Sequence, residues 1–123
     1  MPRSIIVHNL TKPIPQPAKV GFCDSFLCRL RGLMFRARLD PDDGLLLVER
    51  RDSRVDTSIH MFFVPFDIAA IWINSDMRVV DKVVAKSWKP FYAPKAGARF
   101  TLEIHPDRMG DYEIGDQVEF KNV

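Results

Sequence analysis

Hydrophobic positions along this chain fall into many short runs set apart by turn signals, two of them cleanly alternating, with one segment at helical spacing. "ARFTLEIH" (98–105) alternates cleanly, with Phe100, Leu102 and Ile104 facing one way and Thr101 and Glu103 the other, which predicts a strand with one inward face. "GDQVEFK" (115–121) repeats the pattern with Val118 and Phe120 inward, and "SIIVHNL" (4–10) reads as a first short strand. "GLLLVE" (44–49) and "RVVDKVVAK" (78–86) predict two more. "SIHMFFV" (58–64) and "FDIAAIWI" (66–73) are two apolar strands, or one bent strand broken at Pro65. "NSDM" (74–77) has the Asn/Ser/Asp chemistry of a tight hairpin turn.

One segment carries a helix signal. In "DSFLCRLRGLMF" (24–35), Asp24 or Ser25 can cap the start through a side-chain oxygen. Phe26, Leu30 and Leu33 or Met34 then recur at helical spacing, which predicts one stripe facing the core. Gly32 offers the permissive backbone that ends a short helix, and Arg29 and Arg31 sit where cations meet exposed carbonyls. "TKPIPQPAK" (11–19) alternates Pro13, Pro15 and Pro17, so it reads as an extended crossing, and "RRDSRVD" (50–56) as a solvated connection. Together these elements predict a mainly β chain (α+β at most), a compact antiparallel β-barrel or sandwich with one short helix near residues 25–31. At 123 residues, 1–123 is expected to be a single domain.

Composition adds limits. A hydrophobic content of 46%, with nine Phe and two Trp, is enough for a packed core, and the net charge of +2 is small. Residues 1–60 carry ten Lys/Arg against seven Asp/Glu, too weak a tilt to point to nucleic acid. Cys23 and Cys28 lack the C-x-x-C spacing, and five helical steps would put them on different faces, so two reduced thiols in a cytoplasmic protein are expected. "MPRSIIVHNL" has no leader pattern, and the longest apolar stretch is too short and too interrupted for a membrane helix, so a soluble protein without membrane contact is expected.

Candidate chemistry is sparse. His60 and Asp67 lie in the densest apolar stretch and are weak candidates for a catalytic pair. In one straight strand their odd separation would send them to opposite faces, unless Pro65 resets the parity. The competing reading makes His60 a satisfied, partly buried histidine and Asp67 a turn cap. His8, His60 and His105 have no paired spacing, so no metal is expected, and the scattered glycines form no phosphate loop, so no cofactor is expected either. Arg29, Arg31, Arg36 and Arg38 flank "GLMF", and guanidinium groups suit carboxylates and phosphates. The plainer alternative pairs them with Asp40, Asp42 or Asp43. "SWKPFYAPKAG" (87–97) brings Trp88, Phe91 and Tyr92 to one connection, which can wall a pocket, meet a partner or plug one end of a barrel.

The string "RLRGLMFRARLDPDDGLLLV", then "PFDIAAIWINSDMRVVD", "ARFTLEI" and the late "IGD", resembles the domain of unknown function 192 family over about residues 20–119. The resemblance implies a compact β-rich domain with no assigned activity, secreted or membrane-tethered in other members and untethered here. It places the family's arginine, Gly-Leu-Met and second arginine at Arg31, Gly32, Leu33, Met34 and Arg36, and its acidic positions at Asp67 and Glu103. Where the common version reads Trp-Met-Lys-Asn-Thr, this chain has His60, Met61, Phe62, Phe63 and Val64. The leading functional expectation is a non-catalytic binding module for a small anionic ligand or peptide, with Arg31 and Arg36 supplying charge and Trp88 and Phe91 apolar walls. The alternatives are a hydrolase-like enzyme using His60 and Asp67, and a structural protein forming a homodimer through the aromatic connection.

Overall fold

The computed structural model describes residues 3–123; Met1 and Pro2, the start of the segment read as lacking a leader, lie outside the described residues. The chain is mainly β. Seven strands, β1 (Ser4–Asn9), β2 (Ala18–Cys23), β3 (Gly44–Ser53), β4 (Ile68–Ile73), β5 (Val79–Ala85), β6 (Ala98–Ile104) and β7 (Val118–Asn122), build one sheet in the order β5-β4-β6-β3-β2-β1-β7. The sheet curls into a half-barrel. Its two outer strands approach at one end, where Arg78 bridges Gln117 and the Val118 amide donates to the Met77 carbonyl at 2.9 Å. Among the described residues no helix is long and apolar enough to cross a membrane.

Every pairing is antiparallel except β2 with β3, where Gly21, Phe22 and Cys23 run alongside Leu45, Leu46 and Leu47. A parallel pair needs a crossover, and the short helix α1 (Phe26–Arg31) lies in it. Strand β2 was not expected: the proline-rich crossing stops at Pro17, and the chain pairs from Ala18 onward. Strand β3 also runs on through Ser53, so the polar stretch from Arg50 begins inside the sheet and not in a loop.

Both faces of the central strands are covered. All six residues of β4 are buried; Ala69, Ile71 and Ile73 join one core with Leu46, Leu102 and Ile104. Ile68, Ala70 and Trp72 join a second with Leu45, Leu47, Leu33 and Met61. The alternation in β6 therefore separates two interiors. Thr101 and Glu103 are as buried as Leu102 and Ile104, although the alternation assigned only one face inward.

Three local expectations are corrected. Residues 58–64 are not a strand: Ile59 alone bridges Tyr92, and the chain then turns through Val64 N donating to Met61 O at 3.2 Å, with Phe63 at a positive φ of 60°. A turn ahead of Pro65 replaces the ladder that proline could not have continued. The helix does start on Ser25, whose Oγ accepts from Cys28 N at 3.1 Å, and stop at Gly32, but none of its residues is buried. Phe26, Leu27 and Leu30 are more than half exposed; the helix meets the core through half-buried Cys28, and the fully buried contact, Leu33, comes beyond it. Lastly, Cys23 and Cys28 form a disulfide with Cα atoms 5.6 Å apart. Cys23 ends β2 and the chain turns before α1, so the helical-wheel reasoning that separated the thiols does not apply. Reduced thiols were also the ground for expecting a cytoplasmic protein, and that ground is removed.

Candidate functional site

A cavity of about 410 Å³ opens between α1, the turn that follows it, the segment 56–61 and the faces of β3 and β6. That lies within the range of about 300–1,000 Å³ usual for small-ligand sites. Its walls are mostly apolar (Phe26, Leu30, Leu33, Met34, Leu47, Ile59), and its polar groups come from a few named places.

Glu103 is the most buried ionisable group that lines the cavity. It faces Leu45 on β3 and Ala70 on β4, so apolar neighbours flank it on both sides of the sheet. It is 5% exposed, and among the described residues no group donates a hydrogen bond to its carboxylate. Neither oxygen is sealed away, because no buried side-chain oxygen or nitrogen is left unpaired; the carboxyl therefore opens onto the cavity. Burial pushes its pKa up to about 7, with the nearby Arg36 charge acting in the opposite direction. A buried carboxyl with a raised pKa that opens onto a cavity marks a candidate functional group.

The wall opposite is built by Thr57. Its carbonyl accepts from Trp72 Nε1 at 2.8 Å, and its hydroxyl donates to Ser53 O at 2.5 Å. These bonds hold Thr57, Ser58, Ile59 and His60 against the cavity, while Ile59 exchanges both backbone bonds with Tyr92 at 2.8 and 2.9 Å. On the α1 side, Arg29 is locked: Nε meets Glu49 at 2.7 Å and Nη1 reaches the carbonyls of Asp24 and Val48. Burial raises the Glu49 pKa, and Arg29 partly offsets this. Arg31 is exposed at the mouth with no ion pair among the described residues.

The residues singled out from sequence are dispersed. Arg31 lines the mouth, but Arg36 is engaged by Asp43 at 2.9 Å. Trp88 and Phe91 lie outside the cavity and project outward. Trp88 packs edge-on against Phe63 at 5.1 Å, and Phe63 stacks on Phe35 at 5.1 Å. All three sit at positive φ, 66°, 60° and 67°, a conformation bulky side chains adopt rarely. His60 lines the cavity and its Nδ1 accepts from Phe62 N at 3.2 Å. Asp67 lies instead at the open end of the β4–β5 pair, away from its turn, accepting from Ser87 N at 2.9 Å and meeting Lys86 at 3.4 Å. The Ser87 amide holds the Asp67 carboxyl below its ordinary pKa. No hydrogen bond joins His60 to Asp67 among the described residues.

Reading by alternation put Glu103 on a polar outer face and so missed its place in the cavity. The signal was in its neighbours: "GLLLVE" and "IAAIWI" are too uniformly apolar for strands with a wet side. A strand between two such runs has no wet side either.

The family model for DUF192, described as "Uncharacterized ACR", matches residues 7–120. A UPF0127 protein of Thermococcus kodakarensis is 40% identical over 117 residues, spanning 94% of this chain and 73% of that protein. Its counterpart in Pyrococcus furiosus is 35% identical over 117 residues, 94% of this chain and 97% of that one. The crystal structure of a protein of unknown function from Novosphingobium aromaticivorans shares the fold, with a TM-score of 0.76 at 19% identity over 94% of this chain and 83% of that chain. With a match that runs from β1 into β7, the chain belongs to the DUF192 family of uncharacterised proteins.

Proposed function

We propose that this protein is a non-catalytic binding module that takes a small molecule, or one side chain of a peptide, into the cavity beneath α1. The observation that carries this reading is Glu103, a buried carboxyl with no hydrogen-bond donor among the described residues, opening onto a mostly apolar cavity. Desolvating a carboxyl without a partner is costly, and a ligand that supplies a donor offsets that cost. Arg31 at the mouth supports an anionic group on the same ligand, since a guanidinium free of protein carboxylates can take a carboxylate through two parallel bonds. Arg36 supports it less, being held by Asp43. A thermal-shift screen of small carboxylates and short peptides is expected to find a stabiliser whose effect is lost in Arg31→Ala. A screen with no stabiliser counts against the reading.

The aromatic trio favours a second reading, contact with another copy of the chain. Phe35, Phe63 and Trp88 are each roughly half exposed or more, in a backbone conformation that costs about 1–3 kcal/mol per residue. Light scattering is expected to give a dimer for the wild type and a monomer for Trp88→Ala. A wild-type monomer overturns it.

A further inference from the structure

We propose that the ligand of this cavity carries a protonated amine on an apolar body, and that the ammonium docks on the carboxylate of Glu103. The inference rests on the binding reading above and names the chemistry of its innermost contact. Three carboxyl residues line the cavity, Glu49, Asp56 and Glu103, against two arginines. Arg29 is committed to Glu49 and two backbone carbonyls, and Arg36, behind Glu103, to Asp43. Asp56 is half exposed and faces Arg51 at 3.9 Å, so what remains for a ligand is the Glu103 carboxyl at depth and one guanidinium, Arg31, at the rim.

An anionic group at depth would meet a like charge where the dielectric is low, which is strongly unfavourable. A hydroxyl would satisfy Glu103 as a neutral donor. An ammonium makes a charge-assisted bond, roughly twice as strong. The apolar walls around Leu33, Leu47 and Ile59 cover the carbon body, and Arg31 is left for any carboxylate at the outer end. An amino-acid-like or peptide ligand, amine inward, meets all three demands.

The proton balance follows. Near pH 7 the free site holds its proton part of the time, with Glu103 at about 7. Docking of the ammonium displaces that proton to solvent, so affinity falls as the pH drops below 7. The charged and titratable groups around Glu103 are Arg36 from the turn, Arg29 and Arg31 from α1, Glu49 from β3, and Asp56 and His60 from the opposite wall. His60 lines the same cavity and carries an imidazole, so it serves as the control.

Three probes of one shape separate the possibilities: phenethylamine, 2-phenylethanol and 3-phenylpropanoate, titrated into the labelled protein by amide NMR at pH 8 and pH 5.5. Phenethylamine is expected to shift the Gly32, Thr101 and Glu103 amides saturably at pH 8, about thirtyfold more weakly at pH 5.5, and not at all in a folded Glu103→Gln. His60→Ala is expected to keep the pH dependence. Binding of the alcohol or the propanoate as tightly as the amine overturns the inference and leaves the binding reading standing. So does amine binding that ignores pH, or pH dependence that vanishes in His60→Ala. Saturable shifts from none of the three overturn both.

Discussion

A methyl group placed on Gly32 would lie 3.6 Å from Glu103 Oε1, so the turn that ends α1 rests its bare Cα over the buried carboxyl. The family's Gly-Leu-Met step and its late glutamate, far apart in sequence, are one structural feature. What asks for glycine there is the φ of +50°; a Cβ would meet Glu103 only at ordinary contact distance.

Gly32→Ala is therefore expected to cost about 1–2 kcal/mol from the positive φ and to place a methyl group beside the Glu103 carboxyl. Urea unfolding reads the first effect and phenethylamine titration the second. A variant as stable as wild type with unchanged binding would show that the turn does not depend on this glycine.

Gly44 is a stricter case. A Cβ at Gly44 would stand 2.4 Å from the backbone oxygen of Glu103 and 3.0 Å from Ile104 Cγ2, both on the paired strand β6. Backbone cannot yield as a side chain tip can. Gly44→Ala is expected to lower stability by at least about 2 kcal/mol, read as a lower urea midpoint, with the β3–β6 register disturbed next to Glu103. A stability loss below about 0.5 kcal/mol would contradict the close approach.

Stability should fall with rising pH through Glu103. Its carboxyl titrates at 4.5 ordinarily and at about 7 in the fold, so between those values the folded state binds the extra proton. Folding stability from this group is then fully present below pH 4.5 and is lost as the pH rises to 7, by about 3 kcal/mol in all. Glu49 acts in the same direction, whereas Asp67 and Glu113, both lowered, act in the opposite one. Comparing wild type with Glu103→Gln cancels those three. The glutamine variant is expected to gain on wild type between pH 5 and pH 8, measured by urea unfolding at each. Parallel stability curves would show that the fold leaves the proton affinity of Glu103 unchanged.

Much of this fold was legible in the chain, and the failures share a cause. Alternation located β6, the hairpin at Asn74 was announced by its own side chain, which accepts from the Asp76 and Arg78 amides at 3.0 Å, and Ser25 and Gly32 marked the helix ends. Such features depend on neighbours within a few residues. What was missed depends on contacts between distant segments. Strand β2 exists because Ala18–Cys23 lies between β1 and β3, and its own sequence barely alternates. The outward turn of Phe26 and Leu30 follows from α1 crossing a cavity mouth and not a core. Glu103 looked solvated because one strand read alone cannot reveal that both sides of its sheet are covered.

The disulfide gives the last prediction. Cys23 ends β2, and Cys28 lies in a helix none of whose residues is buried. Besides the bridge, α1 is held mainly through Arg29, by Glu49 and the Asp24 and Val48 carbonyls. Closing so short a loop constrains the unfolded chain by only about 2 kcal/mol. Reduction should therefore lower the thermal midpoint modestly and leave the sheet intact, while loosening α1 and with it the cavity wall formed by Phe26, Leu30 and Arg31. Intact mass is expected to rise by about two units on reduction. Amide exchange should then quicken over residues 26–31 and stay slow in β4 and β6, the strands buried on both faces. Double replacement by Ser should reproduce the exchange pattern without a reductant. Unchanged exchange in α1 after reduction would mean that Arg29 alone suffices to hold the helix over the site.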